Sequence, residues 1–290
     1  MDPDYNCLLD PSCPIAERMS TVFVLKHENS DQALDLLKTG FASKSVLLKH
    51  EIAYVMGQTQ NEYSIPYLNE ILADVDRNCI VRHEAAEALA AIGSKNSLEI
   101  LQQFSSDPQI EVSETCSLAI DSIQFKLKHD VWNDEFCRFG SVDPAPPSNI
   151  RDVDQLRVSL LDSSLSFFER YRALFALREV GTKPAVLALI DGLSDRSALF
   201  RHEIAYVLGQ LRDAVSIPAL TKRLADPSEH PMVRHEAAEA LGSVADDSVR
   251  EILEKFKADD DLLIHESCDV ALYLAEYWTN QAAKDDSADS

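Results

Sequence analysis

Four His-Glu dipeptides are the residues of this 290-residue sequence best suited to chemistry. They are His50-Glu51, His83-Glu84, His202-Glu203 and His235-Glu236. The last two follow the first two at one interval of 152 residues. Imidazole and carboxylate are good ligands for iron, manganese and zinc. Burying four uncompensated carboxylates would cost several kcal/mol for each ion, and two divalent cations would offset their charge. All eight residues are therefore candidate metal ligands.

The spacing excludes two familiar kinds of zinc site. A protease helix of the form H-E-x-x-H is missing, because Tyr54 and Glu87 stand where the second histidines would be. Thiolates of a closed structural site are also missing near these dipeptides. The alternative interpretation is a solvated or hydrogen-bonded pair, which is what an isolated His-Glu on a helix usually forms. Metal binding is favoured because the pairs recur only in the middle of each half, and both residue types are poor core residues.

The dipeptides fall on predicted helices of a repeating pattern. A short helix, a loop and a longer helix recur with a period near 32 residues; His83, for example, follows His50 by 33. Ser43 is the predicted cap of the helix that carries His50, and residues 1–13 form at most a truncated first helix. Helix pairs of this length stack because one pair cannot bury its own apolar face. The sequence predicts an all-α solenoid of eight HEAT-like repeats.

The repeats divide into two symmetric halves. We predict four repeats in 1–127, a proline-rich linker in 128–150, four repeats in 151–282 and an acidic, disordered tail in 283–290. Equivalent positions of stacked repeats lie side by side, so each half is expected to form one His-Glu patch. If the linker folds the halves together, all eight groups converge on a di-metal centre.

Some other residues have structural interpretations. A fifth dipeptide begins at His265, but its counterpart in the first half begins at Ser113, so His265 is predicted to be a surface or capping residue. Cys116 and Cys268 are predicted on apolar helix faces. Core packing with a satisfied hydroxyl is the expected role of Tyr54 and of its counterpart, Tyr206.

Composition limits the possible partners. The formal net charge of −22 argues against nucleic acid and anionic membranes and suits a cationic partner. No stretch approaches the roughly 20 apolar residues of a membrane span, and the N-terminus lacks the features of a signal peptide. The six cysteines are scattered and are predicted to be reduced thiols. The expected location is the cytoplasm.

At the four dipeptides the sequence resembles the deoxyhypusine hydroxylase family, also called deoxyhypusine monooxygenases. That family is similarly built from eight HEAT-like repeats with four His-Glu motifs, and the resemblance covers roughly residues 14–280. It implies a non-haem di-iron centre of two Fe(2+), with O₂ as co-substrate. It also implies hydroxylation of the deoxyhypusine side chain of translation initiation factor 5A to hypusine.

The resemblance further implies individual roles. The implied ligands are His50, His83 and Glu84 for one iron, and His202, His235 and Glu236 for the other. Glu51 and Glu203 would lie beside the metals as the catalytic and substrate-binding residues, where carboxylates suit the cationic amines of deoxyhypusine. The partner would be the deoxyhypusine form of the initiation factor, bound by a monomer. The alternatives are a non-enzymatic HEAT-repeat scaffold, which should purify without iron, and a phycobilin-lyase-like protein, which should bind a tetrapyrrole.

Overall fold

The structure, a computed structural model, describes residues 5–129 and 139–288, with side chains described as far as Tyr277. The chain forms two compact units, Met1–Pro146 and Pro147–Ser290. Within the described residues there are fifteen α-helices and no β-strand. The predicted all-α repeat fold is therefore confirmed. None of the described helices combines the length and apolar character needed to cross a bilayer.

Seven α-helices form the described part of the first unit. They are α1 (Ile15–Glu28), α2 (Asp31–Thr39), α3 (Val46–Gln58), α4 (Ile65–Ala73), α5 (Cys79–Ile92), α6 (Leu98–Phe104) and α7 (Ile110–Lys128). A short 3-10 helix at Tyr5–Leu8 precedes α1, in agreement with the predicted truncated start. From α2 onwards a shorter helix alternates with a longer one, as the period predicted.

The cap of α3 differs from the prediction. Ser45 is its N-cap, and the Oγ of Ser45 accepts a hydrogen bond from the amide of Leu48 at 2.9 Å. The Oγ of Ser43 instead accepts from the amide of Ser45 at 3.2 Å. The reason is a 3-10 turn at Gly40–Ala42, which delays the start of the helix. A serine does cap α3, but it is Ser45 and not the predicted Ser43, two residues earlier.

Eight α-helices form the described part of the second unit. They are α8 (Val153–Leu161), α9 (Phe167–Val180), α10 (Lys183–Gly192), α11 (Ala198–Leu211), α12 (Ile217–Ala225), α13 (Pro231–Val244), α14 (Asp247–Phe256) and α15 (Leu262–Ala288). Helix α15 thus includes 283–288 of the predicted acidic tail, while Asp289 and Ser290 lie outside the described residues. The predicted domain boundaries stay a prediction.

Part of the predicted linker packs on the first unit. Residues 130–138, which include Cys137, lie outside the described residues. Beyond them Ser141, Asp143 and Ala145 are buried. Val142 exchanges two hydrogen bonds with the side chain of Gln58, whose Oε1 accepts at 2.8 Å and whose Nε2 donates at 3.1 Å. This segment therefore closes over the end of α3.

Buried arginines join consecutive repeats. The Nε of Arg82 donates to the carbonyl of Leu72 at 2.9 Å, and its Nη2 lies 2.6 Å from Oδ2 of Asp107. Arg170 and Arg234 repeat this arrangement with an aspartate 25 residues further on. Each guanidinium ties the preceding short helix to the loop before the next long one. These pairs were not predicted from the sequence.

Small residues let the long helices approach closely. An added Cβ on Gly57 of α3 would lie 2.6 Å from Cα of Ala88 in α5. The matching approach in the second unit would place a Cβ on Gly209 of α11 2.9 Å from Cα of Ala240 in α13. These are the helices that carry the His-Glu dipeptides, so glycine sets the separation at which those side chains meet.

Candidate metal centre

Helices α3 and α5 bring three of the predicted ligands together in the first unit. The Nε2 of His50 lies 3.1 Å from Oε2 of Glu84, and the Nε2 of His83 lies 3.9 Å from the same oxygen. The two imidazole centroids are 5.7 Å apart. One donor atom from each residue lies within 4.8 Å of the others, and all three side chains are buried. The group has the composition and spacing of a metal site.

Helices α11 and α13 build the corresponding group in the second unit. The Nε2 of His202 lies 3.4 Å from Oε2 of Glu236. The rings of His202 and His235 are 5.4 Å apart at an interplanar angle of 45°, close to the 5.7 Å and 38° of the first pair. All three side chains are buried. The His–His and His–Glu contacts of the first half therefore recur in the second at the 152-residue interval.

The second carboxylate of each half lies next to this group. Glu51 and Glu203 are buried, with exposures of 7% and 3%. The ammonium of Lys26 interacts with Glu51 and lies over the Tyr54 ring, 5.7 Å from its centroid. Burial lowers the pKa of Lys26, and the charge of Glu51 acts against that shift. The surroundings of Glu51 thus already accommodate one cation.

The position equivalent to Lys26 in the second unit is Arg178. Its guanidinium lies over the ring of Phe175, 4.8 Å from the centroid, and donates to Oε1 of Gln210 at 2.9 Å. The side chain is almost entirely buried. Both cations were missed in the sequence analysis, although alignment of the two halves at the 152-residue interval would have paired them.

Another missed residue is Glu239, one turn after His235. Its Oε1 lies 3.3 Å from Nδ1 of His235. The signal was present in the sequence, because a glutamate follows the histidine by four residues in both α5 and α13, as Glu87 and Glu239.

The residues given structural roles lie as expected or nearly so. The side chain of His265 is 39% exposed, and its Nδ1 contacts the carbonyl of Lys257, the C-cap residue of α14, which confirms the predicted surface or capping role. Cys116 and Cys268 are buried, and burial raises the pKa of each thiol to about 12. Tyr54 and Tyr206 are half-buried rather than fully packed in the core.

The described cysteines confirm a further expectation. They are Cys7, Cys13, Cys79, Cys116 and Cys268, and all are free thiols.

Comparison with known proteins agrees with this geometry. A family model described as HEAT repeats matches residues 31–121 and 156–230, and one described as a PBS lyase HEAT-like repeat matches 233–259. The deoxyhypusine hydroxylase of Bos taurus is 47% identical over 272 residues, covering 94% of this chain and 90% of the relative. The Homo sapiens deoxyhypusine hydroxylase is 46% identical, covering 97% and 93%.

A solved structure matches over the same extent. It is human deoxyhypusine hydroxylase in complex with glycerol, with a TM-score of 0.92, 46% identity and 94% of each chain covered. The chain belongs to the deoxyhypusine hydroxylase family. Its function is therefore the hydroxylation step of hypusine formation, and it is a monooxygenase. The resemblance drawn from the His-Glu motifs is confirmed, and no comparison favours a non-enzymatic scaffold or a lyase.

Proposed function

We propose that the six grouped ligands hold two Fe(2+), three from each half. They are His50, His83 and Glu84 in the first half, and His202, His235 and Glu236 in the second. The proposal is supported by the donor set itself: two imidazoles and one carboxylate per half, buried together and without a thiolate among them. Such ligands suit iron and leave coordination positions open. When bound, the iron would supply the activation of O₂.

Glu51 and Glu203 take a different role in this proposal. Each is buried beside the three proposed ligands of its half, which we call a half-site. We assign the two carboxylates to the cationic amines of the deoxyhypusine side chain. Support comes from Lys26, whose ammonium interacts with Glu51 beside an aromatic ring. Attraction between carboxylate and ammonium is stronger in such a shielded place than in water. The two carboxylates would orient the substrate and so fix which C–H bond is presented for hydroxylation.

The substrate of this proposal is the deoxyhypusine form of translation initiation factor 5A, bound by a monomer in the cytoplasm. It is supported by the names of the relatives, which specify deoxyhypusine, and by the net charge of −22, which favours a basic partner loop. Nucleic acid and anionic membranes are disfavoured as partners by the same charge.

The division of roles between the glutamates can be tested with matched variants. Glu84→Ala and Glu51→Ala remove the same side chain from two buried positions of one half, and Glu236→Ala and Glu203→Ala do so in the other. We expect about two irons per wild-type chain and about one in Glu84→Ala or Glu236→Ala, because each removes a ligand. Glu51→Ala and Glu203→Ala should retain iron and lose turnover on the deoxyhypusine-bearing factor, measured by mass spectrometry as the gain of one oxygen atom.

Two results would contradict the proposal. Iron-free wild-type protein that still hydroxylates the factor would exclude the metal assignment. Equal iron loss in all four variants would place all four carboxylates among the ligands and would end the separate substrate role of Glu51 and Glu203.

A further inference from the structure

The carboxylate of Glu239 contacts His235, one of the proposed metal ligands. It lies on α13 one turn after His235, and its Oε1 is 3.3 Å from Nδ1 of that histidine. His235 is entirely buried, whereas the Glu239 side chain is 19% exposed. The carboxylate thus reaches inward from the edge of the helix to a ring with no access to water.

This contact favours one tautomer of the neutral ring. An ionised carboxylate can only accept hydrogen bonds, so the proton of a neutral imidazole must lie on Nδ1. The lone pair then lies on Nε2, which becomes the nitrogen able to hold a metal. A carboxylate that accepts from the remote nitrogen of a ligating histidine also fixes the ring's orientation and raises its basicity.

The carboxylate is itself held by the next repeat. The Oγ of Ser267, a buried residue of α15, donates to the same Oε1 of Glu239 at 3.5 Å. The chain of contacts runs from α15 through Glu239 to His235. A side chain anchored at both ends keeps its geometry better than one held only by its own helix.

The first half is connected differently at the equivalent position. Thr115 corresponds to Ser267, but its Oγ1 donates to the backbone carbonyl of Glu111 at 2.7 Å. The hydroxyl is therefore used within α7.

We propose that Glu239 is a positioning residue for His235, that it selects Nε2 as the metal ligand, and that Ser267 anchors it. This inference rests on the iron site proposed above and adds a residue to it.

The test compares Glu239→Ala, Glu239→Gln and Ser267→Ala with Glu254→Ala, an exposed glutamate of α14 as the control. Iron per chain and the kinetics of iron release to a chelator are measured on the full-length protein. Glu239→Ala should lower the binding affinity for one of the two irons by about 10–100-fold. Glu239→Gln should recover part of that loss, because its amide oxygen still accepts from Nδ1. Ser267→Ala should lower the affinity for the same iron by less than about tenfold.

Thermal melts of chelator-treated protein separate a local effect from misfolding. The metal-free variants should melt as the metal-free wild type does, since the expected change lies in metal binding. Two tightly held irons in Glu239→Ala would overturn the inference and leave the iron proposal standing. Wild-type protein without iron would instead overturn the proposed function. If Glu239→Ala lowered the affinity for both irons equally, a role of Glu239 confined to the second half would be excluded.

Discussion

Replacing Gly57 by alanine should disturb the first half-site from outside it. Gly57 is on α3 beyond His50, and its closest neighbour is Ala88 of α5, one turn beyond Glu84. A Cβ at this position would lie 2.6 Å from Cα and 2.8 Å from Cβ of Ala88. Carbon atoms prefer about 3.5–4.0 Å. The two helices must therefore separate by about 1 Å, and both contact atoms belong to rigid positions.

That displacement acts on His50 and Glu84, whose closest atoms are 3.1 Å apart. Metal–ligand distances tolerate changes of only about 0.2 Å. The affinity for the iron of the first half should therefore fall by at least about tenfold. Overpacking should cost about 1–3 kcal/mol, and the better helix propensity of alanine should return about 1 kcal/mol. The metal-free chain should thus lose only about 0–2 kcal/mol.

Gly209→Ala is the matched control in the second half. Its Cβ would lie 2.9 Å from Cα and 3.1 Å from Cβ of Ala240, so the required separation is smaller. Chelator competition measures each iron, and urea unfolding followed by circular dichroism measures the stability of the metal-free chains. Wild-type iron affinity in Gly57→Ala would refute the reasoning. So would a larger effect of Gly209→Ala than of Gly57→Ala.

Three other predictions concern stability and association. Asp107→Ala should cost about 3–5 kcal/mol, because it leaves the guanidinium of Arg82 buried and uncompensated; urea unfolding should show a smaller loss for Asp259→Ala, whose side chain is 19% exposed against 2% for Asp107. Burial raises the pKa of Glu229, but hydrogen bonds from Arg201 and from the amide of His230 lower it by more, so this pKa lies below the ordinary value of a glutamate. Its contribution to stability is present above pH 4.5 and is lost as the pH falls through the lowered value; Glu229→Gln should flatten that acid loss in thermal melts. Association with the deoxyhypusine-bearing factor should slow as salt rises while dissociation changes less, and a flat association rate in stopped-flow measurements would leave the net charge without a steering role.

The sequence by itself determined the repeat fold and marked the residues that we propose as the half-site ligands. Helix positions follow from the 3.6-residue periodicity of apolar residues, which is a local property of the chain. The duplicated dipeptides indicated His50 and Glu84, and their counterparts His202 and Glu236, because the repeated interval of 152 residues can be read from the sequence alone. Since stacked repeats place equivalent positions side by side, contacts between neighbouring ligands could also be expected.

Only the tertiary structure decided which other groups meet these residues. Lys26 beside Glu51, and Ser267 beside Glu239, join side chains more than 20 residues apart in sequence. Their contacts depend on the rotation and separation of packed helices, which depend on close approaches such as that of Gly57 to Ala88. Helical periodicity places a residue on a face of its own helix, but it contains no information on the distance to the next helix. Packing therefore decided the surroundings of the half-sites, whereas the proposed ligands were predicted from the repeat.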